Sequence, residues 1–187
     1  MKVVIEGERI ILRPLKKSDD IYLKKYVDKE IVRYTTLPYP YSINHARKFI
    51  QKSKKELRKR KPKEIHLGIE LKQTGEIIGM MSFVKVDWRD ETAEVGYWLA
   101  RKYWGRGLAT EALRVLLNHG FKKFKFKKIY ARVYQPNIRS IKLLERVGFK
   151  LEGRLRKQKR YRFGKKRLDE LIYGILPEEF KVSSVNL

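Results

Sequence analysis

Apolar positions along this chain change period several times, and each change marks an element. Residues 9–13, RIILR, read as a strand closed by Pro14, and Ser18, Asp19 and Asp20 offer an N-cap to a short helix reaching about Val27. A second helix starts at Ser42 and puts Ile43, Ala46, Phe49, Ile50 and Leu57 roughly on one face. It carries a basic tail, KKELRKRK, and stops at Pro62. Period-2 alternation takes over in EIHLGIEL; KQTG then turns the chain, with Gly75 suited to positive φ, and EIIGMMSFVKV returns. TAEVGYWLA, residues 92–100, reads as the third strand of this meander.

Helical period resumes from Leu108 to about Phe124, with Ala109, Ala112, Leu113, Leu116 and Leu117 inward. KIYARVY, residues 128–134, is a strand. Asn137 then caps a helix built on Ile141, Leu144 and Val147, which ends at Gly148 as its left-handed C-terminal residue. Residues 149–157 and 168–176 read as two final strands. No repeat or long linker interrupts the pattern, so it predicts a single mixed α/β (α+β) domain over 1–187 with a largely antiparallel sheet.

Charge adds a second layer. Lys and Arg total 46 against 21 acids, a formal net charge of +25, which favours anionic partners such as phosphates, nucleic acid or acidic protein surfaces. The distribution is uneven: residues 62–99 carry −3, while the segments before and after carry +11 and +17. A thermophile-like surface rich in Lys, Arg and Glu is an alternative source of the charge, but it does not explain why the acids gather in one stretch. The absence of cysteine excludes disulfides, thiolate metal sites and a cysteine nucleophile. His45, His66 and His119 are too widely spaced for a metal signature, so no metal is expected. There is no membrane-length apolar run and no signal-peptide pattern at the N-terminus, which points to a soluble cytoplasmic protein, monomer or homodimer.

One stretch concentrates the chemistry. KYWGRGLATEAL, residues 102–113, places two glycines and several basic side chains at the mouth of a helix. Helix N-termini present unpaired N–H groups and a partial positive charge, and glycine lets an anion approach the backbone. Walker spacing is absent, and Thr110 stands where a dinucleotide fingerprint needs its third glycine. Taken alone, the two glycines also fit a strand-to-helix turn with no ligand.

With its neighbours, the stretch says more. AEVGYWLARKYWGRGLATEAL followed by NIRSIKLLERVGFKLEG resembles the GNAT N-acetyltransferase superfamily, most closely its ribosomal-protein (RimJ/RimL-like) branch. ERIILRPLKKSDD is similar to that branch's first strand, and Asp169 stands where a late Asp is often found, so the resemblance covers about residues 8–177. It implies a GNAT-type twisted sheet of about seven strands flanked by about four helices. It also implies acetyl-CoA as cosubstrate, with no metal, and a primary amine as acceptor.

The resemblance further assigns residues. The backbone of Trp104, Gly105, Arg106 and Gly107, continuing through Leu108, Ala109 and Thr110, would hold the pyrophosphate. Lys102, where the family usually has Gln or Arg, would add charge without the fork of Arg. Trp98, Leu99 and Ala100 would pair with the pantetheine amides, and Asn137 would bond the same arm, although Asn137 also reads as a plain helix cap. A backbone N–H at Leu99 would stabilise the oxyanion, and Ser140, otherwise a first-turn serine, would be the acid near the sulfur. For the base the branch often uses a Glu where Lys159 stands here. Glu94 is the substitute, on the strand face opposite Val95 and Tyr97, and it reads equally as a solvent-facing residue or gives way to a water relay.

Two basic stretches stay open. FKKFKFKK, residues 121–128, interleaves aromatics with lysines, as nucleic-acid surfaces do, or else buries its Phe residues and solvates its lysines. Residues 154–167 carry nine basic side chains and no acid, which suits either a solvated hairpin or a site for an acidic partner. The leading function is N-acetylation of a protein N-terminal amine. The rivals are acetylation of polyamines or other small amines, transfer of another acyl group, and a non-catalytic RNA- or ribosome-associated module.

Overall fold

The computed structural model describes residues 3–181, and the first two and last six residues of the expected 1–187 unit lie outside them. Among the described residues eight strands form one sheet. They are β1 (Ile5–Glu6), β2 (Ile10–Arg13), β3 (Ile65–Leu71), β4 (Ile77–Asp87), β5 (Thr92–Leu99), β6 (Lys128–Tyr134), β7 (Lys150–Arg160) and β8 (Arg167–Ile175), in the order β1-β2-β3-β4-β5-β6-β8-β7. Every neighbouring pair is antiparallel except β5 with β6, which is parallel. Five α-helices accompany them: α1 (Asp20–Tyr26), α2 (Lys29–Val32), α3 (Ile43–Leu57), α4 (Leu108–Lys122) and α5 (Ile138–Val147). The mixed, mostly antiparallel class is as expected, with β1 and the four-residue α2 in addition; both are too short to carry a period.

Local chemistry sets the helix ends as the sequence indicated. Ser42 accepts the His45 N–H at the start of α3, and Asn137 Oδ1 accepts the Ser140 N–H at the start of α5. Gly148 closes α5 at φ 109°. The expected cap of α1 differs. Asp19 makes no cap bond to that helix and instead takes the Arg13 guanidinium at 2.8 Å, both side chains being buried. A buried cation needs its counter-ion more than a short helix needs a cap.

The sheet separates two layers. Consecutive residues of β4 point to opposite faces, so Met81 and Phe83 join Leu113, Leu116, Leu117 and Leu144 of α4 and α5, while Met80 joins Leu23, Ala46 and Ile50 of α1 and α3. Burial on both faces explains why β4 reads as a continuous apolar run rather than an alternation. Phe126 is buried with Phe83 and Trp88 around it, and the half-buried Phe121 and Phe124 pack on the same core, so the aromatics of 121–128 face inward while its lysines meet solvent.

Gly79 lies opposite Leu99 where β4 and β5 are closest, and an added Cβ would stand 2.4 Å from the Trp98 carbonyl oxygen. Gly79→Ala is therefore expected to destabilise the fold by about 2 kcal/mol or more. Gly153→Ala, where an added Cβ meets nothing within 4 Å, should change stability by no more than about 0.5 kcal/mol. Denaturant unfolding of the two variants checks the contrast.

Candidate active site

The one parallel pair does not run its full length. β5 and β6 are in register only at Thr92–Lys128, Ala93–Ile129 and Glu94–Tyr130, after which the strands part. β6 stays paired to β8 from Ile129 to Tyr134, and β5 stays paired to β4 as far as Leu99, so the sheet opens into a wedge between them. The N–H of Ala100 donates to the Ile78 carbonyl at 2.8 Å. Alternation turns Trp98 the same way, toward β4, and turns Tyr97 and Leu99 toward the wedge. Of the three residues expected along the pantetheine arm, Leu99 alone faces its amide into the opening; those of Trp98 and Ala100 are used within the sheet. The Leu99 carbonyl accepts the Trp104 indole N–H at 2.6 Å, which holds Trp104 at the mouth of the wedge.

The glycine loop follows directly. Gly105 and Gly107 take φ 74° and 76°, a region that only glycine adopts without strain. No side chain caps α4, and the first backbone bond at its start runs from Glu111 N to Gly107 O. The N–H groups of Leu108, Ala109 and Thr110 therefore lack intrahelical partners. A Cβ built on Gly105 meets nothing within 4 Å, so the backbone there is open to a ligand. Arg9 pins the loop from the sheet side: its guanidinium donates to the Arg106 carbonyl at 2.9 Å and to Glu111 at 2.9 Å. Sequence reasoning missed Arg9, because a basic residue at a strand start carries no signal of its distant partner.

Lys102 is placed differently from expectation. Its ammonium lies 4.9 and 4.6 Å from the ring centres of Tyr26 and Tyr103 and 3.5 Å from Glu76. Its pKa is raised, chiefly by the Tyr103 hydroxyl. Arg106 leans on the Tyr103 ring, and the Arg139 guanidinium covers Trp104 with its carbon 4.6 Å from the ring centre.

Across the wedge the hydroxyls of Tyr97 and Ser140 lie 2.7 Å apart, joining β5 to the first turn of α5. Burial pushes the Tyr97 phenol above its ordinary pKa, so it stays a neutral donor. Tyr97 was absent from the sequence-predicted set, although its strand alternation already put it beside Val95. The Oδ1 of Asn137 is occupied in capping α5, which leaves its amide N–H₂ as the group able to reach outward.

The opposite face of the sheet carries a row of alternating charge. Glu94 accepts from Lys85 at 2.5 Å and lies 3.9 Å from Arg132, which reaches Glu170 at 3.3 Å, with Lys159 at 4.0 Å beyond it. Glu94 and Ser140 thus stand on different faces of the sheet. Lys159 pairs with Glu170, a buried carboxylate from β8 that sequence reasoning did not single out. Asp169 takes Arg154 and the Lys157 N–H, and so closes the bulge of β7 rather than facing the wedge. Among the described residues no group of three or more His, Asp or Glu side chains is placed to hold a metal ion.

A model of the acetyltransferase (GNAT) domain matches residues 9–150. The N-acetyltransferase p20 of Bacillus licheniformis is 33% identical over 175 residues, which is 92% of this chain and 96% of p20. The ribosomal-protein-serine acetyltransferase of Escherichia coli is 33% identical over 81 residues, 43% of this chain and 45% of that enzyme. Mycobacterium smegmatis RimJ, solved with CoA-disulfide, shares the fold at 24% identity and a TM-score of 0.83, covering 95% of this chain and 89% of that one.

Glu76, at the turn between β3 and β4, holds the approach to the loop. It accepts the hydroxyls of Tyr103 (2.8 Å) and Tyr26 (2.9 Å) and pairs with Lys25 and Lys102. The Tyr103 hydroxyl first, with Lys25, Tyr26 and Lys102, holds its carboxyl down to about 2 from 4.5. A carboxyl depressed in the folded state stabilises above its unfolded pKa and loses that contribution as pH falls through the folded value. Glu76→Gln should therefore melt at a lower temperature than the parent at pH 7, with the difference closing between about pH 4.5 and pH 2. Thermal melts across that range, read by circular dichroism, measure it.

Proposed function

This chain belongs to the GNAT family of acetyltransferases, and on that footing we propose that it moves the acetyl group of acetyl-CoA to a primary amine, the α-amino group of a protein N-terminus of the ribosomal-protein type. The observation that carries the reading is the Tyr97–Ser140 hydroxyl pair, which spans the wedge beside an uncapped helix N-terminus. The names of the Escherichia coli relative and of the RimJ structure support the acceptor class.

The residues present suit the cosubstrate. The open N–H groups of α4 and the bare backbone at Gly105 and Gly107 would receive the pyrophosphate, with Arg106 nearby. The Asn137 amide N–H₂ would hold the pantetheine arm along the wedge, which leaves the Leu99 N–H for the reacting carbonyl. Bound acetyl-CoA supplies the acetyl thioester; the chain's own work is to place it and to manage protons.

Two faces divide that work. On one, Tyr97 donates to Ser140, which leaves the Ser140 O–H free to protonate the departing thiolate. On the other, Glu94 takes the proton of the incoming amine, directly or through water, while Arg132 ties Glu94 to Glu170. The Leu99 N–H lies between the faces, turned toward the developing oxyanion; one such donor is typically worth about 3 kcal/mol. No covalent enzyme intermediate is required, so positioning supplies much of the rate.

Ser140→Ala should lower turnover by about 10²-fold or more with acetyl-CoA affinity unchanged. Steady-state kinetics beside calorimetric titration reads both, and an unchanged turnover number with chemistry rate-limiting removes Ser140 from this role. Gly105→Ala separates cradle from turn. Its left-handed φ costs about 1–2 kcal/mol of stability, yet the new methyl enters space that touches no protein atom. Acetyl-CoA affinity should fall by more than that strain explains. Normal affinity in the folded variant would make Gly105 a turn residue only.

A further inference from the structure

On the face of the sheet that carries Glu94, a cavity of about 220 Å³ opens between the segment after α2 and the β7–β8 hairpin. Arg33, Thr35 and Thr36 form one wall, and Arg160, Tyr161 and Arg162 form the other. Tyr134 and Leu168 make the floor. Three guanidinium groups and three neutral hydroxyl side chains surround the space from its walls, and no carboxylate lines it.

The charges nearby do not cancel this. Glu30 pairs with Arg33 at 3.1 Å from outside the cavity, and Glu170 beyond Tyr134 is taken by Arg132 and Lys159. Arg162 donates to the Leu37 carbonyl and so fastens the hairpin to the opposite wall. Arg160 meets no carboxylate among the described residues. Tyr134 is kept a neutral donor, its phenol pushed above the ordinary range by burial and then by Glu170. A planar fork of N–H donors with no partner of its own is suited to a carboxylate, which it can bind bidentately.

The cavity is joined to the wedge by one strand end. Tyr134 is the last residue of β6, and its carbonyl accepts the Asn137 N–H at 2.8 Å where α5, carrying Ser140, begins. The hairpin tip reaches the same apolar cluster as the end of β5, because Phe163, Trp98 and Trp104 all pack against Val27, Ile31 and Val32. An acceptor seated in the wedge would reach the arginine-lined space along this Tyr134 end of β6.

We propose that the cavity bounded by Arg33, Arg160 and Arg162 is an acceptor subsite selecting N-terminal peptides that carry a carboxylate close behind the reacting amine. The proposal rests on the acetyl transfer reading above and adds the acceptor's charge. It places polyamines among the excluded acceptors, because their further ammonium groups would meet three guanidinium charges at short range.

The test uses two tripeptides, both amidated at the C-terminus, with Asp or Asn at the second position, and spermidine as a third acceptor. The Asp peptide should show a KM about tenfold or more below that of the Asn peptide, in line with one charge-assisted hydrogen-bonded contact. Arg160→Gln, on an exposed edge strand, should remove most of that difference by raising KM for the Asp peptide. The KM of the Asn peptide should change far less, and acetyl-CoA affinity, read separately by calorimetry, reports that the cosubstrate site is intact. Equal KM values for the two peptides in the parent, or a preference for spermidine, would overturn the proposal while leaving acetyl transfer intact. Calorimetric binding of the two acetylated peptides in the presence of coenzyme A reads the same selectivity without turnover. Carboxylate-selective binding by an enzyme that acetylates neither peptide would overturn the transfer reading and keep the subsite; equal binding would overturn the subsite.

Discussion

The early parting of β5 from β6 is the constraint on which the site depends. Three registered pairs fix the two strands at one end, and beyond them each strand follows a different neighbour, β4 for one and β8 for the other. Buried backbone groups must be satisfied, so an opening of this kind persists only where something else fills the ladder. Trp104 reaches the Leu99 carbonyl, and Tyr97 bridges to Ser140, but the gap-facing amides of Tyr97 and Leu99 are turned toward space that an extended ligand would occupy. The parting also brings α4 and α5 to the same opening from the two halves of the sheet. A parallel pair zipped to its end would bury those amides, close the channel and separate the glycine loop from Ser140.

The uneven charge finds its explanation in the same sheet. The mildly acidic middle of the chain folds into β3, β4 and β5, and the basic flanks fold onto it. Glu64 takes Lys52, Glu70 takes Arg13, Glu76 takes Lys25 and Lys102, and Glu94 takes Lys85 and Arg132. Five of these six cations come from outside the middle stretch on one side or the other, and Lys85 alone comes from within it. Four of the seven acids are therefore internal counter-ions, and Asp87, Asp90 and Glu91 sit at the β4–β5 turn. What remains unmatched is the basic excess, much of it on the long edge strand β7 and its hairpin. Charged side chains there discourage pairing with another strand, and the same hairpin supplies two of the arginines of the cavity.

How legible this was from sequence depended on whether a signal was local. Periodicity located the long elements to within about three residues of their ends, because the core faces of α4 and α5 and the alternation of β3 and β5 follow from burial alone; α3 is the exception, ending at Leu57 rather than running through its basic tail to Pro62. The glycine loop was legible because positive φ and an uncapped helix start leave a compositional trace. Asn137 was legible as the cap of α5, and the family pattern is what nominates it and Ser140 for the roles proposed above. The other groups were not. Tyr97 could be assigned inward but not matched to Ser140, 43 residues away. Arg9 meets Glu111 across 102 residues, and Glu76 collects its tyrosines from α1 and from the segment before the loop. Lys102 read as a phosphate ligand because it adjoins the glycines in sequence, but Glu76 and two tyrosine rings offer its ammonium a nearer and better-satisfied place. Such pairings are fixed by strand order, and strand order is what a single sequence states least.

The two faces of the opened sheet give the protein a separation that a single deep pocket would lack. Everything suited to coenzyme A lies at the ends of β5 and β6 and on α4 and α5, where the core cluster behind Leu113, Leu116 and Leu144 is fully buried and rigid. The proposed acceptor subsite lies on the other face, on the segment after α2 and on a hairpin at the sheet's edge, where exposed backbone and side chains tolerate substitution. The end of β6 at Tyr134, whose carbonyl accepts the Asn137 N–H, links them. A change in the hairpin can therefore alter which amine arrives without moving the glycine loop, and a change in the loop alters the cosubstrate site without touching the arginines. The charge row from Lys85 to Lys159 is the exception, since it crosses five strands and ends in that hairpin. Substituting Lys159 would release the buried Glu170 from one of its two cations and shift the burden to Arg132, which also holds Glu94. Through that shared arginine, the acceptor wall and the proposed base are one electrostatic unit, and it is there that specificity and catalysis are physically coupled.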